Sequence, residues 1–161
     1  ATSRGFYYYL LDEENIRKKE RGLLFDLDKL KIRCPQTEHS VFVDTGGFDK
    51  EQIKQIEERA YTLGVTHHET VDVSQRYYQQ CIRYLVFGNM LRNKSYPMSV
   101  CSERTFQALA VLEYARKNDI KILSHGSTGA GNDQVRFDMI FYVLAPEMTI
   151  MAAVRDLGIS R

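Results

Sequence analysis

The residues best suited to chemistry lie in one short stretch, HGSTGAGNDQVRFD, at positions 125–138. Its glycines allow the backbone to come close to a ligand and leave N–H groups able to face an anion. Asn132 can donate and accept hydrogen bonds, Asp133 can bind an amine, and Arg136 can bind a carboxylate through two parallel hydrogen bonds. The stretch has two interpretations: the floor of a binding site, or a polar loop whose glycines only turn the chain.

Alternating strand and helix patterns indicate how this stretch is positioned. SVFVD at 40–44 is typical of a buried strand, and Asp49 is suited to begin a helix that ends at Gly64. THHETVDV (66–73) predicts a second strand and IKILSHG (120–126) a third. We therefore expect an α/β fold with a parallel sheet flanked by helices. The glycine-rich loop then lies beyond the carboxyl end of a strand, where ligands bind in such folds.

Two further helices are predicted between the second and third strands. The first is expected to break near Asn93 and Pro97, and its apolar face is formed by Tyr78, Cys81, Ile82 and Leu85. The second is expected to begin at Ser102 or Thr105. It is apolar on two sides, which indicates a buried helix, and its main stripe is formed by Ala108, Val111, Leu112 and Ala115.

Composition narrows the possible functions. The 161 residues suffice for one domain, and a formal net charge of +1 gives no reason to expect a nucleic-acid or membrane partner. Three cysteines without a CxxC pair suggest neither zinc nor a disulfide framework, so we expect a cytoplasmic protein. His67 and His68 are adjacent in a predicted strand, so they face opposite ways and cannot easily chelate a metal together. His125 is expected to orient the loop that follows it.

Three segments of the chain resemble the argininosuccinate synthase family. They are VFVDTGGF, VFGNMLRNKSYPMSVCSERTFQALA and HGSTGAGNDQVRFDMIFYVLAPEMTI, and the resemblance covers about residues 41–161. It implies an adenine-nucleotide α-hydrolase-like, Rossmann-like fold. It also implies an ATP-dependent ligase of arginine biosynthesis that joins citrulline to aspartate while ATP is cleaved to AMP and pyrophosphate, commonly with Mg²⁺. Members of the family are usually homotetramers.

The resemblance implies residues for ATP and aspartate. Gly126 would lie against the nucleotide, and Val43 would meet the adenine through its backbone. The residues matching the aspartate site are Thr128, Asn132 and Asp133. No residue is assigned a catalytic or a metal-binding role.

A second group of residues matches the citrulline site of the family. It consists of Tyr96, Cys101, Asn132 and Arg136, with Arg136 on the α-carboxylate of citrulline. Cys101 stands where the family usually has a serine, and a thiol is a weaker hydrogen-bond donor than a hydroxyl.

Residues 1–40 depart from the family pattern. The family begins with a strand and a Ser-Gly-Gly-Leu-Asp-Thr-Ser loop that wraps the pyrophosphate, and only Ser3-Arg4-Gly5 is faintly similar. We therefore predict an atypical N-terminal segment, 1–40, and a nucleotide-binding domain, 41–161, and expect the family's synthetase domain to be absent. An alternative stays open: a non-catalytic α/β module that has lost the phosphate loop and keeps an amino-acid pocket or a protein-binding surface.

Overall fold

The computed structural model describes residues 39–127, 131–152 and 155. Its strands are β1 (His39–Asp44), β2 (His67–Asp72), β3 (Leu91–Arg92), β4 (Tyr96–Pro97), β5 (Ile122–Ser124) and β6 (Thr149–Met151). Its helices are α1 (Lys50–Thr62), α2 (Ser74–Tyr77), α3 (Arg83–Phe87), α4 (Ser99–Lys117) and α5 (Asn132–Leu144), and a π-helical turn (Tyr78–Ile82) joins α2 to α3. No helix within these ranges is long and apolar enough to cross a membrane.

Two parallel strand pairs confirm the predicted α/β class. β1 pairs with β2, with Val43 opposite Val71, and β5 pairs with β6, with Leu123 opposite Ile150. Within the described part of the chain these pairs are two separate sheets rather than one continuous sheet. The third predicted strand, IKILSHG, is shorter than expected and is extended only over Ile122–Ser124. The short strands β3 and β4 form an antiparallel hairpin just before α4.

One apolar core joins the two strand pairs. Val41 of β1 and Leu123 of β5 belong to it, as does the predicted stripe of α4 formed by Ala108, Val111, Leu112 and Ala115. Phe137 and Phe141 of α5 pack into the same core with their rings stacked 6.0 Å apart. The prediction of a buried α4 is therefore confirmed, and this helix lies between β1 and α5.

The signals at both ends of α1 are also confirmed. The Gln52 N–H donates to the Asp49 side chain at 2.8 Å, and the Asp49 N–H donates to the Gln52 side chain at 3.0 Å. This reciprocal pair satisfies two N–H groups that the helix leaves without internal partners. Gly64 follows the helix with φ of +89°, a left-handed conformation that glycine adopts at low cost.

The prediction for the helix after β2 was partly wrong. The helical segment ends at Phe87 rather than near Asn93, and Asn89 already has a left-handed φ of +46°. Tyr78, expected on the apolar face, is 55% exposed, whereas its neighbour Tyr77 is buried. The π-helical turn explains this difference, because it holds more residues per turn and so rotates side chains away from the 3.6-residue spacing.

α4 begins at Ser99, earlier than the predicted Ser102 or Thr105. The N–H groups of Cys101 and Ser102 donate to the Met98 carbonyl at 3.0 and 3.3 Å, so the first turn is already formed there. The Ser102 hydroxyl donates to the Ser99 carbonyl at 3.0 Å inside the helix and does not cap it. This extra turn brings Cys101 into the helix that faces α5.

Candidate functional site

The carboxyl ends of β1 and β5 lead into polar loops. After β1, the Asp44 carboxylate accepts the Gly46 N–H at 2.8 Å, which fixes the turn that contains Thr45. β5 ends at Ser124, and α5 begins at Asn132 after the extended residue Gly131. The stretch singled out in the sequence therefore lies where an α/β fold places its ligands.

Three of the predicted binding residues lie in direct contact. Arg136 Nη1 is 3.0 Å from Asp133 Oδ1, and Arg136 Nη2 donates to Cys101 Sγ at 3.4 Å. The side chains of Arg136 and Asp133 are 22% and 31% exposed, so both can still meet a ligand. A carboxylate and a guanidinium in contact can bind the ammonium and carboxylate groups of an amino acid.

The same contacts continue into α4. Arg104 Nε forms an ion pair with Asp133 Oδ1 at 3.3 Å, and Arg104 Nη1 is 3.3 Å from Glu103 Oε2. The Thr45 hydroxyl donates to Glu103 Oε1 at 2.8 Å. The residues joined in this way are called the site network: Thr45, Cys101, Glu103, Arg104, Gln107, Asp133 and Arg136. It connects the end of β1 to α4 and α5.

Sequence reasoning missed four members of the site network, of which Arg104 has the clearest signal. Arg104 precedes Ala108 by four residues and Val111 by seven, so a charged side chain lies on the buried stripe of α4. A charge at such a position requires a partner, because burying it unpaired is costly. The pattern therefore predicts a buried ion pair, although it does not identify Asp133 as the partner.

The other predicted site residues that the structure describes lie outside the site network. Val43 is buried in β1, Gly126 is half-buried after β5, and Asn132 is exposed at the first position of α5. Tyr96 is half-exposed on the β3–β4 hairpin, five residues before α4 presents Cys101. Thr128 lies outside the described residues.

His125 directly follows β5. It is 1% exposed, its Nδ1 accepts the Ser127 N–H at 3.4 Å, and its Nε2 is 3.3 Å from Asp138 Oδ1. An Nδ1 that accepts leaves the proton on Nε2, which then donates to Asp138. Arg155 Nη1 contacts the other oxygen of Asp138 at 2.6 Å. These contacts reach Ser127, and the expectation that His125 orients the rest of the loop stays a prediction.

The adjacent histidines of β2 face opposite ways, as predicted. His67 is exposed and lies 3.8 Å from Glu69, whereas His68 is buried with its Nδ1 3.1 Å from Ser40 Oγ. Burial lowers the pKa of His68 and so favours its neutral form. Among the residues that the structure describes, no group of three His, Cys, Asp or Glu side chains is arranged to hold a metal.

Known proteins match most of this chain. A family model of the arginosuccinate synthase N-terminal HUP domain matches residues 31–161. Argininosuccinate synthase of Sulfurisphaera tokodaii is 38% identical over 122 residues, which is 76% of this chain and 31% of that protein. Argininosuccinate synthase of Hyperthermus butylicus is 38% identical over 138 residues, 84% of this chain and 35% of that protein.

A third relative shows the same proportions. Argininosuccinate synthase of Methanocaldococcus jannaschii is 37% identical over 122 residues, 76% of this chain and 30% of that protein. The chain therefore spans about a third of the length of the curated relatives it matches. The matched region contains both strand pairs and the whole site network. The chain belongs to the argininosuccinate synthase family, in which it corresponds to the N-terminal HUP domain.

Proposed function

We propose that this chain is the nucleotide-binding domain of an argininosuccinate synthase, an ATP-dependent ligase of arginine biosynthesis. Its ligands are then ATP, citrulline and aspartate. The observation that carries the proposal is the contact among Asp133, Arg136 and Cys101. These residues come from two helices, and the family resemblance gives them to the two amino-acid substrates. Family membership supports the same conclusion.

The proposed reaction has two steps. The ureido oxygen of citrulline attacks the α-phosphorus of ATP, the bond between the α- and β-phosphates breaks, and pyrophosphate leaves. The amine of aspartate then attacks the ureido carbon of the citrullyl adenylate, and AMP leaves with the oxygen. Neither step needs a covalent nucleophile from the protein, so the contribution of the chain is to hold the substrates in reacting positions.

The site network is suited to bind amino acids. Arg136 uses one N–H toward Asp133 and one toward Cys101, and a guanidinium has five, so donors remain for the α-carboxylate of citrulline. Arg104 and Arg136 both pair with Oδ1 of Asp133, so Oδ2 remains for the ammonium group of aspartate. The N-cap residue of α5, Gly131, makes no side-chain hydrogen bond to the first turn, and the N–H groups of a helix N-terminus favour an anion.

The nucleotide would contact the backbone at Gly126 and Val43. Magnesium would arrive on the phosphates of ATP, since Mg²⁺ commonly binds through substrate phosphates and the described residues offer no ligand cluster of their own. As in the family, the assembled protein is expected to be a cytoplasmic homotetramer.

The N-terminal sequence favours a second candidate function. Residues 1–40 contain no Ser-Gly-Gly motif of the kind that wraps pyrophosphate in the family. A non-catalytic α/β module with a surviving amino-acid pocket or a protein-binding surface would fit that sequence.

Calorimetric titration of the purified chain separates the two functions. Mg-ATP is titrated first alone and then with citrulline present. Saturable ATP binding at one site per chain is the expected result for the proposed synthase domain. Citrulline binding without ATP binding would favour the second function. If a demonstrably folded chain binds neither, both assignments of amino-acid ligands are wrong.

A further inference from the structure

Arg104 is a buried charged residue on the core side of α4. It is 8% exposed and shares a helix face with Ala108 and Val111. A guanidinium at this depth is stable only with partners for its charge, because removing an unpaired charge from water is costly. Arg104 finds these partners on two helices, its own and α5.

The partners on α4 fix one end of the guanidinium. Arg104 Nη1 donates to Gln107 Oε1 at 3.1 Å and lies 3.3 Å from Glu103 Oε2. Glu103 is held in turn by the Thr45 hydroxyl, which donates to Oε1 at 2.8 Å. A guanidinium is planar and rigid, so contacts at Nη1 also determine where Nε points.

The other end of the guanidinium meets α5. Arg104 Nε is 3.3 Å from Asp133 Oδ1, and Arg136 Nη1 is 3.0 Å from the same oxygen. Two cations on one oxygen resist rotation of the carboxylate, because a turn would separate both pairs. Oδ2 of Asp133 stays outside both ion pairs and keeps a constant direction.

We propose that Arg104 is a positioning residue that holds the Asp133 carboxylate ready for the ammonium group of an α-amino-acid ligand. Through Asp133 it also fixes the direction of Arg136. This inference rests on the proposed function, in which Asp133 binds aspartate. Arg104 is proposed to act on the ligand by way of Asp133, because its Nη1 contacts Gln107 and Glu103 and its Nε forms the ion pair with Asp133.

A double-mutant cycle tests whether Arg104 acts through Asp133. The variants are Arg104→Gln, Asp133→Asn and the two combined. Aspartate is titrated calorimetrically into each variant with ATP present. Citrulline is omitted so that no reaction can proceed. Arg104→Gln is expected to weaken aspartate binding about tenfold when Asp133 is present and to have no further effect in the Asp133→Asn background. The affinity for ATP is expected to stay constant.

Arg116→Gln is the matched control. Arg116 lies on the same helix and pairs with Glu147 at 2.9 Å, but it is exposed and lies near the other end of α4 from Arg104. Its substitution is expected to leave aspartate affinity unchanged. An equal loss from Arg104→Gln in both Asp133 backgrounds would show a general structural role and overturn the positioning proposal alone. A folded wild-type chain that does not bind aspartate would overturn the proposed function itself.

Arg104→Lys keeps the cycle informative if Arg104→Gln does not fold. Lysine preserves the buried positive charge, but its single ammonium cannot contact the Gln107 side of the network and Asp133 with the fixed geometry of a guanidinium. We expect a smaller loss of aspartate affinity than about tenfold, again only where Asp133 is present. Full wild-type affinity in Arg104→Lys would overturn the proposal, because charge alone would then suffice.

Discussion

The two ends of the β1–β2 pair hold their polar side chains in different ways. At the carboxyl end, the site network contains alternating charges, with Glu103 and Asp133 negative and Arg104 and Arg136 positive. At the amino end, His39 meets His67 and Tyr114, whereas His68 faces the other way, beside Ser40 and Tyr61. His39 Nδ1 is 2.7 Å from the Tyr114 hydroxyl, and burial lowers the pKa of both His39 and His68.

The carboxyl end of the β1–β2 pair is therefore suited to bind ligands, and the amino end is suited to packing. Ion pairs that remain partly exposed can exchange a protein partner for a charged substrate, whereas the contact between His68 and Ser40 is buried and already uses a ring nitrogen of His68. The partners also differ in origin. His68 is bonded to Ser40, which is its register neighbour across the parallel pair, while the site network needs the packing of β1, α4 and α5.

The largest effect on stability is expected from a substitution in the core that supports both ends of the β1–β2 pair. Phe137 is fully buried and stacks on Phe141, so Phe137→Ala should lower the free energy of unfolding by about 3–5 kcal/mol through the cavity it leaves. Urea denaturation followed by circular dichroism measures this loss. Tyr142→Ala, at a position that is 80% exposed on the same helix, is the control and should change stability by less than about 0.5 kcal/mol.

Arg136→Ala tests the charged end directly. It removes the donors proposed for the citrulline α-carboxylate, so citrulline affinity should fall by about 10–100-fold, the effect of losing charge-assisted hydrogen bonds. ATP affinity should hardly change. Titration calorimetry measures both, with Arg116→Ala as the exposed control on α4. Equal losses of citrulline and ATP binding would indicate a folding defect and contradict the role of Arg136.

Cys101→Ser should have a smaller effect of opposite sign. The Cys101 sulfur accepts from Arg136 Nη2 at 3.4 Å, and a hydroxyl is both a better acceptor for that guanidinium and a better donor to citrulline. We expect citrulline to bind a few-fold more tightly, about 0.5–1 kcal/mol. Cys81→Ser, at the other half-buried cysteine of the described chain, is the control. Unchanged or weaker citrulline binding would contradict the citrulline role of Cys101.

The sequence predicted the local features of this molecule well and the distant contacts poorly. Asp49 and Gly64 delimit α1 as their types require, and the alternation at His67 and His68 follows from the two-residue period of a strand. Arg104 was missed because its partner Asp133 is 29 residues away, and the pairing of α4 with α5 has no local signature. The exposure of Tyr78 was missed because the prediction used the 3.6-residue spacing of an α-helix, whereas Tyr78 begins a π-helical turn.

The lowered histidine pKa values at the amino end of the β1–β2 pair should make the stability of the protein depend on pH. A histidine whose pKa is lowered by folding binds fewer protons in the native state, so stability is complete above the unfolded pKa of about 6.5 and declines as the pH falls through it. Burial is the main cause of the lowered pKa of His68, and the positive charge of His67 lowers it further. Glu57 and Glu69 act in the opposite direction and raise this pKa. The free energy of unfolding should therefore fall between pH 7 and pH 5.5.

His68→Asn is expected to flatten this slope, because asparagine can keep a hydrogen bond to Ser40 without titrating. His39 has a lowered pKa as well, so part of the slope should remain. His67→Asn is the control: His67 is exposed on the same strand, and burial rather than its charge is the leading cause at His68, so most of the slope should persist. Urea denaturation across this pH range measures the slope, and an unchanged slope in His68→Asn would contradict the assignment of the pH dependence to the lowered pKa of His68.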